Sequence, residues 1–169
     1  MSAATVLQSL FRYKAWTNAE LFAGLAKLDA EKHATERHTA IRLMNHIYVV
    51  DRIFAGHLMG QPHGYTGTNT TETPTLEGLR DAVAASDAWY IEQVGKLSDA
   101  ELAEPVTFAF TDGDSGRMTR EEMFAHVTAH GAYHRGAVGR IMAQIGNPPP
   151  RDLYTRYLHT AEPERRQVA

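Results

Sequence analysis

Residues 119–150 read TREEMFAHVTAHGAYHRGAVGRIMAQIGNPPP, and their punctuation marks out one long helix. Thr119 and Glu122 stand at the spacing at which a hydroxyl and a carboxylate satisfy the unpaired backbone N–H groups of a helix start. Gly146 and then Pro148, Pro149 and Pro150 stop the helix, because proline lacks the N–H that would continue it. At about 100° per residue, Met123, Val127, His134, Val138, Ile141 and Ile145 fall in one arc that takes in His130. A helix with one apolar stripe must bury it, so this stretch requires partner helices.

Three such partners lie upstream. The first runs from about Val6 to Leu28, with Thr5 and Gln8 as its cap and Leu7, Leu10, Phe11, Leu21, Leu25 and Leu28 as its apolar face. The second runs from near Thr39 to Gly60, where Gly-Gln-Pro ends it, and carries Leu43, Ile47, Val50 and Phe54. The third follows a Thr75 cap and reaches about Leu97, with Leu79, Val83, Trp89 and Val94 inside. Residues 61–75, QPHGYTGTNTTETPT, are polar and form a connection long enough to predict a mobile or functional loop.

In PVTFAFTDGDSGRMT, residues 105–119, the period changes from helical to alternating, and Asp-Gly-Asp-Ser-Gly supplies a turn. This predicts a small β-hairpin between helices 3 and 4. A short C-terminal helix follows around Asp152–His159. The fold class predicted is all-α: a four-helix bundle with that hairpin and short helix, in one domain over residues 1–160, and a flexible tail over 161–169.

The chain has 169 residues and a formal net charge of −3, which argues against a nucleic-acid partner. It has no cysteine, so disulfides, thiolate ligands and a cysteine nucleophile are excluded. The opening MSAATVLQSLFRYKAW places charge within its apolar pattern and does not read as a signal segment. No stretch approaches the roughly 20 apolar residues that cross a bilayer. These features predict a soluble, cytoplasmic protein without a membrane partner.

Histidine carries the chemistry. His130 and His134 are one helical turn apart, near enough to chelate one ion at bonds of about 2.1 Å. His126 and His134 are roughly 12 Å apart along the axis, and His126 falls on the margin of the stripe. A site held by protein needs a third donor. His33, His38, His63 and His159 sit near helix ends or in loops, whereas His46 and His57 border the stripe of helix 2, roughly 16 Å apart. His46 lies deeper in its helix and is the favoured third ligand. The spacing also suits a hydrogen-bonded core pair or a pH-sensing cluster. There is no Glu-x-x-His pair of the di-iron kind and no HExxH. Three neutral nitrogens suit zinc, nickel or another first-row ion and leave a position for water or substrate.

Residues 129–153, AHGAYHRGAVGRIMAQIGNPPPRDL, resemble the hallmark of the DinB/YfiT-like family of proposed metalloenzymes. There, His-x-x-x-His-Arg-Gly precedes a Gly/Pro stop and Asp-Leu. LFRYKAWTNAELFAGL (10–25) and NHIYVVDRIFAGHLMG (45–60) are similar to that family as well. The resemblance implies a four-helix bundle with a divalent metal, commonly zinc or nickel, on His46, His130 and His134. It also implies a homodimer and a small-molecule substrate, with a low-molecular-weight thiol such as bacillithiol or mycothiol as cosubstrate in relatives. Tyr133 and Ala137 depart from the family's usual residues beside the last ligand and after Arg-Gly.

The expected function is therefore a metal-dependent enzyme activating water or a thiol, of the thiol transferase or hydrolase type. The rival is a non-catalytic metal-binding bundle with a structural or sensory role. Arg135 is expected to face solvent, with binding of an anionic substrate group as its other role; Tyr48 and Tyr133 are expected to pack. His126 and His57 are candidates for groups that orient the site, and Asp51 for a surface or interhelical salt bridge.

Overall fold

Capping and stop signals mark several of the helix ends. In the computed structural model, which describes residues 2–166, the elements are α1 (Ala3–Leu25), α2 (Ala34–Met59), α3 (Leu76–Lys96), α4 (Asp99–Leu102), β1 (Pro105–Ala109), β2 (Ser115–Thr119), α5 (Arg120–Gln144) and α6 (Tyr154–Ala161). The bundle of four long helices with a hairpin before the last is the predicted fold. The Thr119–Glu122 capping box forms on α5, Thr75 caps α3, and Gly60 ends α2 in the left-handed region at φ 64°. The first helix starts earlier than its sequence pattern suggested. Ser2, not Thr5, caps it, accepting from the Thr5 N–H at 3.3 Å. The sequence reading also missed α4, although Ser98 and Glu101 form a full capping box there. The predicted tail contains a 3-10 turn at Pro163–Arg166, and its last three residues lie outside the described residues.

α1 packs against α3 and α5, and α2 packs against the same two helices. The consecutive helices α1 and α2 therefore stand across the bundle from each other. The hairpin lies against α2, where Phe108 is buried 6.0 Å from the Phe54 ring, centroid to centroid. Gly116 faces Phe108 across the hairpin, and a Cβ there would come within 2.7 Å of that ring. Arg120 Nη1 donates to the Leu58 carbonyl at 2.8 Å, tying the start of α5 to the end of α2.

The core divides in two. Toward the hairpin lie Leu7, Phe11, Phe54, Tyr90, Phe124 and Val127, with Phe11 stacked on Tyr90 at 4.8 Å. Toward the other end lie Leu21, Leu25, Met44, Ile47, Val83 and Met142. Polar side chains are also buried within this interior: Lys14 and Asn18 on α1, Asp51 on α2, Ser86 and Asp87 on α3, and Arg135 on α5. Lys14, Asp51 and Asp87 form a polar layer that links three of the helices. His46 of α2 and His130 of α5 approach each other where these two helices pack.

Candidate metal centre

His130 and His134 occupy successive turns of α5, and His46 reaches them from α2. The Nε2 atoms of His46 and His130 are 3.0 Å apart. Each of the three rings offers one nitrogen, and those nitrogens all lie within 4.8 Å of one another. Two donors on a tetrahedral zinc with bonds of about 2.1 Å stand roughly 3.4 Å apart, so the cluster is close to the size an ion requires. The structure thus brings the three predicted histidines to one point.

The state of each ring follows from its surroundings. His46 Nδ1 lies 2.7 Å from the Thr68 carbonyl oxygen, which can only accept, so Nδ1 carries the proton. Nε2 then presents its lone pair to the cluster. Burial, and next the neighbouring His134 and His46, push His130 down to about 3, and burial also lowers His134. Metal ligation needs neutral imidazole, and this environment favours it. His130 Nδ1 is buried with no hydrogen-bond partner among the described residues. Three converging nitrogens with no cation-repelling group among them fit a divalent metal, and the cluster can hold one.

The remaining candidates lie elsewhere. His126 stacks on His130 at 5.5 Å and on Phe54 at 4.6 Å, packing against a ligand rather than joining the cluster. His57 stacks on Phe108 at 4.7 Å and meets His63 edge-on at 5.1 Å. Tyr133 does not pack: it is 78% exposed. Arg135 does not face solvent: it is 3% exposed, and its Nε donates to Asp152 Oδ2 at 2.7 Å. The buried face of α5 is centred on Gly131 and Arg135, with His130 and His134 on its half-buried border and His126 exposed. Gly131 leaves room for two buried side chains there: a Cβ would sit 3.2 Å from Arg135 Nη1 and 3.3 Å from Lys14 Cε.

A model of the DinB family matches residues 1–166. The chain belongs to the DinB family. A relative from Bacillus subtilis (strain 168), named Protein DinB, is 23% identical over 166 residues, which cover 92% of this chain and 95% of the relative. No solved structure matches the chain with significance. Among the described residues of this DinB-family chain, no helix is long and apolar enough to cross a membrane.

Two parts of the site of this DinB-family protein were not read from its sequence. One is the polar layer behind the histidines. Lys14 Nζ donates to Asp51 Oδ2 and Asp87 Oδ1, both at 2.6 Å, and Asn18 Nδ2 donates to Asp87 Oδ2 at 2.7 Å. Burial alone would lower the Lys14 pKa, but the two carboxylates outweigh it and hold it above the usual lysine value. Burial likewise pushes the Asp51 carboxyl up to about 6, against the pull of Lys14. Asp51 therefore takes the interhelical role rather than the surface one. The second part is the connection between α2 and α3. Thr68 orients His46 through its carbonyl, a group every residue possesses, so no side-chain signal could announce it.

Proposed function

We propose that this DinB-family protein is a metal-dependent enzyme that holds a divalent ion, zinc or nickel, on His46, His130 and His134 and activates water or a thiol cosubstrate there. The observation carrying this reading is the donor set: three imidazoles from two helices converge, and no carboxylate joins them among the described residues. Closed structural sites use four protein donors, whereas three leave a coordination position for a reactant. An ion held by these three histidines would supply Lewis acidity, the property that lowers the pKa of a water or thiol. Burial favours the neutral forms of His130 and His134, and the Thr68 carbonyl aims His46. The exposed Tyr133 ring, 5.0 Å from His134, flanks the approach. Thiol transfer and hydrolysis both fit such a site. The family resemblance adds a small-molecule substrate and a homodimer to the proposal, and the sequence composition adds a cytoplasmic setting.

The test is metal analysis of protein purified without an affinity tag, followed by titration with Zn²⁺ and Ni²⁺. One ion per chain is expected in wild type, with loss in His46→Ala, His130→Ala and His134→Ala. Absence of stoichiometric binding by wild type overturns the metal reading. X-ray absorption that shows a fourth protein donor overturns the catalytic one in favour of a structural ion. Screening loaded protein for thiol addition to electrophiles, and for hydrolysis, then separates transferase from hydrolase.

A further inference from the structure

We infer that Asn45 is a positioning residue: it clamps the segment Thr68–Thr70 onto α2 and thereby fixes which nitrogen of His46 faces the donor cluster. The inference rests on the metal reading only for its effect on affinity.

His46 is oriented by a backbone carbonyl in the connection between α2 and α3, which contains no helix or strand. Irregular connections of this kind are ordinarily the mobile parts of a fold. A mobile acceptor cannot select one tautomer of a half-buried imidazole. Something must hold Thr68 in place.

Asn45 is adjacent to His46 in α2 and is 2% exposed. Its amide nitrogen has two protons and uses both on the connection. One goes to Asn69 Oδ1, and the other to Thr70 Oγ1 at 2.6 Å. Asn69 and Thr70 then tie themselves back. Asn69 Nδ2 donates to the Arg42 carbonyl at 3.1 Å, and the Thr70 hydroxyl donates to the Glu72 carbonyl at 2.6 Å. Arg42, one turn earlier on the same face of α2, donates Nη1 to the Thr70 carbonyl at 2.7 Å. The carbonyl that meets His46 belongs to the residue immediately before this clamped pair.

Residue choice fits the task. Two acceptors converge on one buried head group, which a primary amide can satisfy from a single nitrogen. Aspartate has no proton to offer either acceptor, and leucine would leave both unpaired. The Asn69 amide is likewise used at both ends. The segment predicted as a loop of mobile or functional character is therefore functional because it is held still.

The test compares wild type with Asn45→Ala, using protein with isotope-labelled histidine. In metal-free protein at pH 8, the ¹⁵N shifts of His46 report its tautomer. Wild type should show one form protonated at Nδ1, and Asn45→Ala a mixture of both. Zinc affinity, measured by chelator competition, should fall about 10- to 100-fold in Asn45→Ala, the range for removing groups that orient a ligand. A single Nδ1–H tautomer together with wild-type affinity in Asn45→Ala overturns the inference. Should Asn45→Ala fail to fold, Asn69→Ala removes the same clamp from the loop side and is held to the same two outcomes. If wild type itself binds no zinc, the metal reading fails, while the tautomer measurement still decides the role of Asn45.

Discussion

His46 and His130 are separated by 84 residues in the chain, yet their Nε2 atoms are 3.0 Å apart. His126, only one turn from His130 on the same helix, touches it by ring stacking alone. The two relationships predict different losses. His130→Ala should weaken zinc binding by more than about 100-fold, beyond the effect of an orienting group. His126→Ala and His57→Ala should bind zinc close to wild type. Equal loss in His126→Ala would move the site along α5.

The Lys14–Asp51–Asp87 layer is held at 2.6 Å on both sides with all three side chains at most 2% exposed. Removing one member leaves a buried charge unpaired, so Lys14→Met should cost about 3–5 kcal/mol. Replacing all three together with Lys14→Met, Asp51→Leu and Asp87→Leu should recover most of that loss. Urea unfolding at pH 7 reads both, and a mild single variant would show the layer to be solvated.

Alkaline stability follows from the same lysine and from Tyr13. Burial, and then its hydrogen bond to Asp152, raise Tyr13 from 10.0 to about 12, and Lys14 is raised from 10.5. A group whose pKa is higher folded than unfolded contributes fully below the unfolded value and loses that contribution as pH rises through the folded one. Thermal unfolding scans from pH 8 to 12 should therefore show stability falling above about pH 10, as these two groups begin to lose their protons in the unfolded chain. In Lys14→Met the decline should be shallower. A flat profile in wild type would contradict the raised values.

Two glycines of α5 should respond to alanine with opposite signs. A Cβ on Gly136 would meet nothing within 4 Å. Gly136→Ala should accordingly stabilise the protein by about 0.5–1 kcal/mol through helix propensity and a less flexible unfolded chain. At Gly131 a Cβ would lie 3.2 Å from Arg135 Nη1 and 3.3 Å from Lys14 Cε. Both neighbours are held in ion pairs and cannot give way, so Gly131→Ala should destabilise by about 1–3 kcal/mol. Calorimetric midpoints shifted in the same direction would refute this assignment of space.

The long helices and the hairpin were legible because their signals are local: the Thr119–Glu122 and Thr75 caps, the Gly60 stop, and the alternation through Val106 and Phe108. Helix α4 had its own Ser98–Glu101 box but, at four residues, no periodicity to draw attention to it. Arg135 was misplaced because hydropathy counts an arginine as solvent-facing. Its burial is made possible by Asp152, a partner from beyond the proline stop.

The sequence by itself determined the helical segments, their ends and the one-turn spacing of His130 and His134. Those properties depend on backbone geometry and on hydrogen bonds spanning a few residues. Only the tertiary structure brought His46, already favoured from the sequence, to that pair, set the Thr68 carbonyl against its ring, and buried Lys14 between two carboxylates. Each of these depends on which helix lies beside which. That is settled by burying apolar faces around the whole bundle, and no short stretch of chain encodes it.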